Sequence, residues 1–486
     1  MAWFRRSIVR PSAAPALALA LALVAARCTV TSAAAPVRPF TLSAADAALL
    51  DTVQRRTFDF FWERSDTRTG LTPDRWPTPS FASIAAVGFA LTAYPVGVER
   101  GWITRAEAAQ RTLVTLQWFW RAPQGTDARG MTGHRGFFYH FLDMQDGARF
   151  ATVELSTIDT ALLLGGVLFC QSYYDRDVPL EASIRAYADS LYRRVEWTWI
   201  QPRAPLVNHR WRPEDGFSES DWTGYDESML LYVLALGSPT YPIDAAAWAA
   251  YTRTYRWATF HGQSHINFEP LFGHQYSHLW IDFRGIQDAY MRARGIDYFE
   301  NSRRAVLSQR AYAIANPSRF RDYGANVWGL TASDGPLDST LIIDGQRIEF
   351  HTYWARGAAA TAVRDDGTLA PTAAAGSFPF APEVVMPAIR AMRERYGDSL
   401  FQRYGFLDAF NPSLQLSVPL RHGRIVPGVG WIDGDYLGID QGPIVAMIEN
   451  YRSELVWRTM RRNAYIVRGL RRSGFTGGWL AQASLP

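Results

Sequence analysis

Two carboxyl residues in this 486-residue chain lie where apolar helices are expected to begin. Glu227 precedes the apolar run 229–236, and Asp440 precedes a second apolar run. The amino-terminus of a helix favours an ionised carboxylate, whereas apolar and aromatic surroundings raise its pKa. A carboxyl group between these two influences can act as a general acid or base. Helix capping by Asp226 and Glu227 is the structural alternative.

Polar and aromatic residues recur in the loops that lead into the apolar segments. They are Glu154, Asp159, Trp222, Tyr225, His274, Gln275, Tyr276, His278, Asp282, Arg284, Trp328, Asp334, Phe380, Glu383 and Gln441. Carboxylates, amides and aromatic faces with few lysines suit a sugar, which needs hydrogen bonds and stacking rather than net charge. His274 and His278 have helical spacing, but the sequence offers no convincing third ligand, so no metal site is predicted.

Composition limits the class of protein. Hydrophobic residues make up 48% of the chain and charged residues 20%, as in an ordinary globular protein. The net charge of +4 is small for this length, and no basic cluster indicates nucleic-acid binding. The aromatic content of 14%, with 18 Trp, suits sugar rings as well as helix packing.

The amino-terminus has the pattern of a secretory signal. Three arginines precede the Ala/Leu-rich run 13–26, and small residues follow it. We therefore expect residues 1–35 to be a signal peptide and residues 36–486 to form one catalytic domain, in the periplasm or secreted. The arginine before Cys28 disfavours lipid attachment. No stretch of the mature chain is long and apolar enough to be expected to span a bilayer.

Apolar residues recur with helical spacing along most of the chain, and strongly apolar segments alternate with amphipathic ones. The predicted helices cover 43–62, 80–93, 104–120, 156–170, 181–197, 226–236, 244–254, 279–290, 299–314, 380–392, 400–404, 441–457 and 461–471. Alternating inner and outer helices predict an all-α fold, an (α/α)6 barrel of two concentric rings. Residues 341–350 are the best candidate for a β-hairpin.

Six ordered motifs between residues 197 and 457 resemble the bacterial glycoamylase-like family. They read GYDESMLLYVLALGSPTYP, HQYSHLWIDFRG, YGANVWGLTASDGP, PTAAAGSFPFAPE, YGFLDAFN and GIDQGPIVAMIENYRSELVW. This family includes glycoside hydrolase family 144, the endo-β-1,2-glucanases, and the hydrolase-like domain of cyclic β-1,2-glucan synthases. The resemblance implies an (α/α)6 barrel that hydrolyses β-glucan, with β-1,2-glucan as the first expectation.

The resemblance assigns roles to individual residues. Glu227 matches the general acid, and Asp440 is the best match to the general base, with Asp159 and Asp408 as alternatives. The synthase branch works with retention and carries a glutamate where this chain has Ala332. That difference favours hydrolysis with inversion, which needs room for a water molecule between the two carboxyl groups.

Substrate contacts are expected from the same motifs. The predicted binding residues are Glu154, Trp222, Tyr225, Gln275, Tyr276, His278, Asp282, Arg284, Trp328, Asp334, Phe380, Glu383 and Gln441. Neither a cofactor nor a metal is expected, and a monomer acting on an oligo- or polysaccharide is predicted. The alternatives are a transglycosylase or phosphorylase on the same barrel, a polysaccharide lyase, and a non-catalytic glycan-binding protein.

Overall fold

Helices dominate the computed structural model of this chain, which describes residues 40–483. The structure is 44% helical, and no helix among the described residues is long and apolar enough to cross a membrane. The predicted signal segment, residues 1–35, lies outside the described residues. The α-helices are α1 (Ala44–Arg64), α2 (Ile84–Glu99), α3 (Arg105–Arg121), α4 (Thr157–Tyr173), α5 (Pro179–Arg193), α6 (Met229–Gly237), α7 (Ala246–Thr252), α8 (Tyr276–Trp280), α9 (Ala289–Arg294), α10 (Tyr298–Ala315), α11 (Pro371–Ala375), α12 (Pro382–Leu400), α13 (Gly438–Ser453), α14 (Leu455–Met460) and α15 (Ala464–Arg472).

Short polar side chains begin several of these helices. The Ser43 hydroxyl accepts a hydrogen bond of 3.1 Å from the Asp46 backbone N–H at the start of α1. Thr104 and Glu107 form a reciprocal capping box at the start of α3. Each bond satisfies a donor that the first helical turn leaves free. The predicted helix starts near residues 43 and 104 are confirmed.

Six helices, α2, α4, α6, α8, α11 and α13, are buried along most of their length. α2 packs against α4 and α13, α4 against α6, α6 against α8, and α13 against both α8 and α11. Gly88 and Gly166 allow a close approach of α2 and α4, since a Cβ atom on Gly166 would lie 2.1 Å from the Gly88 carbonyl oxygen. The core lies between neighbouring members of this inner set.

A second set of helices packs outside the inner set. α1 contacts α2 and α13, α3 contacts α2 and α5, α5 contacts α4, α12 contacts α11, and α15 contacts α6. These helices bury one face only; α5, for example, buries Ile184, Ala188 and Leu191. The alternation of buried and half-exposed helices predicted from the sequence is therefore confirmed.

Twenty-two short strands, none longer than five residues, lie in the connecting segments of the described chain. They are β1 (Arg75–Trp76), β2 (Ala82–Ser83), β3 (Gly133–His134), β4 (Phe137–Tyr139), β5 (Phe141–Leu142), β6 (Leu155–Ser156), β7 (Arg210–Arg212), β8 (Gly216–Phe217), β9 (Trp257–Phe260), β10 (Gln263–Ile266), β11 (Ala332–Asp334), β12 (Ser339–Ile343), β13 (Gln346–Phe350), β14 (Tyr353–Ala355), β15 (Gly357–Ala358), β16 (Val363–Arg364), β17 (Phe401–Gln402), β18 (Gly405–Phe406), β19 (Phe410–Asn411), β20 (Arg424–Val426), β21 (Gly430–Ile432) and β22 (Tyr436–Leu437). The predicted hairpin is confirmed, because β12 pairs antiparallel with β13. The sequence did not predict the other strands, so the chain is helix-rich rather than purely α-helical.

Two predicted helices differ from the structure. Within 279–290, α8 ends at Trp280, and the following loop turns at Gly285, whose φ is +72°. Where the sequence predicted a helix over 400–404, residues 401–406 form the strand pair β17–β18 around Gly405, whose φ is +90°. α8 ends because the backbone at Ile281 is already extended, whereas the left-handed Gly405 allows the turn between β17 and β18.

Candidate active site

A cavity of about 180 Å³ lies at the amino-terminal ends of several inner helices. Its wall contains two carboxyl groups, one imidazole and several apolar and aromatic side chains. The lining residues are His140, Ile158, Asp159, Leu162, Glu227, Phe272, Tyr276, Ala332, Tyr353 and Ile439. These residues come from the starts of α4, α8 and α13, from the loop before α6, and from loops far apart in sequence.

Glu227 is half-buried in this wall, two residues before α6 begins. Its backbone carbonyl accepts a hydrogen bond of 2.7 Å from the Ser277 hydroxyl, which fixes the backbone at this position. Burial, followed by the nearby carboxylates of Asp226 and Asp159, raises the pKa of Glu227 well above its ordinary value. Among the described residues, no other side chain forms a hydrogen bond with the Glu227 carboxyl group. A protonated carboxyl group is therefore free to donate into the cavity.

Asp226, rather than Glu227, has the structural role at this turn. One oxygen of its carboxylate accepts hydrogen bonds from the Ser228 backbone N–H at 2.9 Å and from the Tyr251 hydroxyl at 3.0 Å. Burial raises the pKa of Asp226 to about 6 despite these donors. Asp226 therefore holds the turn that precedes α6, although neither acid caps the first turn of that helix.

His140 connects two acids on the opposite side of the α4 start. Its Nδ1 lies 2.8 Å from Glu154 Oε1, and its Nε2 lies 3.5 Å from Asp159 Oδ2. Burial alone would lower the pKa of His140, but the charges of Asp159 and Glu154 outweigh that effect and raise it to about 9. Although burial opposes the change, the hydrogen bond and charge of His140 lower the pKa of Glu154 to about 2. The raised pKa favours a protonated His140 imidazole at neutral pH.

Asp408 and Asp440 form a second acidic pair, behind Ile439 of the cavity wall. Both are buried, and they lie close enough for the Asp408 carboxyl group to affect the pKa of Asp440. Burial, followed by the Asp334 charge, raises the pKa of Asp408 to about 7. Burial and the Asp408 carboxyl group raise the pKa of Asp440 well above its ordinary value. Neighbouring negative charges disfavour the ionisation of both groups, so the pair retains a proton to higher pH than a free aspartate would.

Asp334 anchors this pair to the rest of the molecule. Its backbone N–H donates a hydrogen bond of 2.8 Å to Asp408 Oδ2. Its own carboxylate accepts two bonds from the Arg75 guanidinium, at 2.6 and 3.3 Å. Carboxylate oxygens of Asp334, Asp408 and Asp433 lie within 4.8 Å of one another, a spacing that a cation could bridge. Arg75 already supplies a positive charge there.

Tyr276 of α8 lies within electrostatic reach of both acidic centres. Burial raises its pKa well above 10, and the charges of Asp440 and Glu227 raise it further. Its phenol therefore stays neutral in the cavity wall. Glu227 and Tyr276 share the cavity wall with Ile439, which directly precedes Asp440.

Several predicted site residues meet at or beside this cavity. Glu227, Asp159 and Tyr276 line it. Glu154, Asp334, Asp408 and Asp440 lie directly behind the lining through the contacts described above.

Two aromatic residues predicted to stack on sugar rings lie outside the cavity lining. The Trp222 indole donates a hydrogen bond of 2.9 Å to the Thr157 hydroxyl. Tyr225 is buried against His274, with ring centroids 4.8 Å apart. Both side chains therefore support the loop before Glu227 rather than facing the cavity.

Three polar side chains that were predicted to bind substrate are buried within the protein. Gln275 donates to the Ala373 carbonyl at 2.9 Å, and Gln441 donates to the Phe406 carbonyl at 3.0 Å. His278 is buried, and burial lowers its pKa to about 3. These side chains connect inner helices and loops instead of pointing at a ligand.

The remaining residues that were predicted to bind substrate form internal ion pairs, pack in the core or lie at the surface. Asp282 is held by ion pairs with Arg284 and Arg461. Trp328 is buried in the core. Phe380 is buried, and Glu383 forms a surface ion pair with Arg303. None of these predicted residues is part of the described cavity lining.

The sequence analysis did not single out His140, Phe272, Tyr353 or Arg75. His140 belongs to the aromatic segment 137–142, where a histidine among aromatic residues was an available signal. Tyr353 reaches the site because β14 pairs with β11, which places it beside Asp334. No local sequence pattern predicts such a pairing.

Comparison with known proteins places these residues in a family. Residues 219–464 match the family model Glycoamylase, described as “Putative glucoamylase”. A solved Bacteroides uniformis protein with the same description is 31% identical, with a TM-score of 0.76, over 90% of this chain and 99% of that one. The endo-β-1,2-glucanase of Chitinophaga pinensis, solved with sophorotriose and glucose, is 26% identical, with a TM-score of 0.76, over 90% of this chain and 100% of that one.

A curated relative is also similar. It is the exo β-1,2-glucooligosaccharide sophorohydrolase (non-reducing end) of Parabacteroides distasonis, 29% identical over 88% of this chain. This chain spans 58% of the length of that relative.

Proposed function

This chain belongs to the glycoamylase family, and we propose that it is a glycoside hydrolase that cleaves β-1,2-glucan with inversion. The observation that carries the proposal is Glu227, a carboxyl group of raised pKa in the wall of a cavity that Ile439, the neighbour of Asp440, also lines. An inverting glycosidase needs one protonated and one ionised carboxyl group at the scissile bond. The activities named for the relatives from Chitinophaga pinensis and Parabacteroides distasonis support the β-1,2 linkage.

We propose that the inner helices close into the inner ring of an (α/α)6 barrel. Neighbouring packing runs from α13 through α2, α4 and α6 to α8, and α11 packs on α13. The Gln275 side chain, just before α8, donates to two α11-segment groups, the Ala373 carbonyl and the Ser377 hydroxyl. These contacts support a ring whose helix amino-termini meet at the cavity.

In the proposed reaction, Glu227 donates its proton to the glycosidic oxygen as that bond breaks. The Asp408–Asp440 pair carries one negative charge and accepts a proton from the attacking water, directly or through a sugar hydroxyl. The water attacks the anomeric carbon from the face opposite the leaving group, so the product has inverted configuration. Ala332 lines the cavity and offers no nucleophile for a retaining reaction.

Apolar side chains would hold the sugar rings during this reaction. Phe272 and Tyr276 lie with ring centroids 5.4 Å apart, and Tyr353 is 52% exposed at the same cavity. Exposed aromatic faces bind the C–H surfaces of pyranose rings, while hydroxyl groups bind the acids at the rim. The cavity therefore suits an uncharged sugar.

We further propose that residues 1–35 direct export, so that the enzyme meets its glucan in the periplasm or outside the cell. The support is the signal-like sequence, with its arginines before an Ala/Leu-rich run. Cleavage of the segment can be checked by amino-terminal sequencing of the exported protein.

The proposed function is tested with purified protein and with linear and cyclic β-1,2-glucans beside β-1,3- and β-1,4-glucan controls. We expect oligosaccharides from the β-1,2 substrates only, and their anomeric configuration by NMR to be inverted. Glu227→Gln should lower kcat by about 10²- to 10⁴-fold. The matched control, Glu383→Gln, should keep full activity because Glu383 lies in a surface ion pair with Arg303.

Three results would contradict the proposal. Products that require phosphate would indicate a phosphorylase, and transfer products without net hydrolysis would indicate a transglycosylase. Binding of glucan with no turnover in the unmodified protein would indicate a non-catalytic glycan-binding protein.

A further inference from the structure

A cleft of about 590 Å³ lies next to the proposed catalytic cavity. Phe81 and Phe150 contribute the aromatic part of its wall, and Phe150 is 37% exposed. Polar and charged groups complete the wall; they are Arg75, Thr78, Ser80, Asp143, Gln145, Arg421 and His422. Acidic and basic side chains are both present, so the cleft suits an uncharged polar ligand rather than an ion.

Phe81, Phe141 and Phe150 form one connected aromatic platform. The Phe81 ring centroid lies 4.1 Å from that of Phe141 and 4.7 Å from that of Phe150. The platform is also fixed through the backbone, because the Phe150 N–H donates to the Phe141 carbonyl at 3.0 Å and β2 pairs with β5. A rigid aromatic face binds a ring at a low cost in conformational entropy.

The platform is connected to the catalytic cavity at two points. His140, which lines the cavity, stacks on Phe141 with ring centroids 3.8 Å apart. Arg75, which lines the cleft, holds Asp334 behind the Asp408–Asp440 pair. A chain bound at Glu227 can therefore continue past His140 onto the platform.

We propose that the platform is a distal subsite for further glucose units of the same glucan chain. This inference rests on the proposed function, since the occupant is the part of the substrate that extends beyond the cleaved bond. The exposed face of Phe150 would stack on a pyranose ring, while Gln145, Arg421 and Asp143 lie in the same wall to bind its hydroxyl groups. The enzyme should then prefer longer chains over the shortest one that it cleaves.

The test is steady-state kinetics on purified linear β-1,2-glucooligosaccharides of increasing length. Phe150→Ala should raise KM for the longest substrate roughly three- to tenfold, the range expected for a lost aromatic contact. The shortest cleaved substrate should keep its KM and kcat. Phe150→Trp, which preserves a stacking face, should keep the preference for longer chains.

Tyr241→Ala is the matched control, because Tyr241 is a 41% exposed aromatic residue beyond the carboxy-terminal end of α6, away from Glu227. It should change no kinetic constant, and thermal unfolding would verify that each variant is folded. An equal change for short and long substrates in Phe150→Ala, or no change, would overturn the subsite while leaving the proposed function intact. Absence of product from every glucan with the unmodified protein would overturn both.

Discussion

Asp408 and Asp440 are both buried, and Asp440 directly follows Ile439, which lines the cavity that also contains Glu227. The Asp334 backbone N–H donates to the far oxygen of Asp408, so the pair is oriented by a strand and not by a flexible loop. The remaining oxygens, Asp408 Oδ1 and Asp440 Oδ2, have no protein donor among the described residues. We expect these two oxygens to share a proton, because the pKa of each carboxyl group is raised.

Asparagine at either position of this pair should remove most of the activity. Asp440→Asn and Asp408→Asn each leave one carboxyl group without its proton-sharing partner, and we expect kcat to fall by about 10²- to 10⁴-fold. Asp159→Asn should leave a larger residual rate, because Asp159 faces the imidazolium of His140. Initial rates on β-1,2-glucan measure all three. The base assignment would be wrong if Asp159→Asn were the most damaging and Asp440→Asn kept substantial activity.

Asp226 should affect the pH at which the reaction loses activity on the alkaline side. Its negative charge is one cause of the raised pKa of Glu227, so the Asp226→Asn change should lower that pKa. Because Glu227 acts as the protonated donor, activity is lost as pH rises through its pKa, and the alkaline limb should move to lower pH. Profiles of kcat/KM against pH for the variant and for the Glu383→Gln control measure the shift. An alkaline limb unchanged in the variant would mean that another group sets it.

Local sequence patterns predicted the candidate acids Glu227 and Asp440 but not which other residues line the cavity. The sequence analysis proposed Glu227 and Asp440 because each precedes a strongly apolar run. Both residues lie at the amino-terminal end of a buried helix. His278 is buried and lies outside the cavity lining, because α8 is buried on every side and helical position does not indicate which side faces the cavity.

Pairings between distant segments supply the rest of the site. Phe141 is positioned against Phe81 of the cleft wall by the pairing of β5 with β2, and Tyr353 reaches the cavity through the pairing of β14 with β11. These strands have two or three residues, too few to show an alternating pattern in the sequence. The helical framework was therefore predictable, whereas the loops that complete the walls depended on tertiary contacts.

Stability should depend on pH through His140. Its pKa is raised from 6.5 to about 9 in the folded protein. A raised pKa contributes stability that is complete below the unfolded pKa and is lost as pH rises through the folded value. The free energy of unfolding should therefore fall between about pH 6.5 and pH 9, and fall less steeply in His140→Gln. Urea unfolding at several pH values measures both slopes. Parallel slopes for the two proteins would show that His140 is not protonated in the folded state.

The buried ion pair between Arg356 and Asp366 should stabilise the folded protein at β11, the strand that carries Asp334. Arg356 Nε lies 2.7 Å from Asp366, both side chains are fully buried, and Arg356 Nη1 also donates to the Ser333 carbonyl at 2.9 Å. Arg356→Ala leaves an unpaired buried carboxylate, so we expect unfolding to become easier by about 3–5 kcal/mol. Arg68→Ala removes a surface ion pair, with Arg68 78% exposed, and should cost less than about 1 kcal/mol. Chemical denaturation compares the two variants. A similar, small loss in both would show that neighbouring groups or water satisfy Asp366 without Arg356.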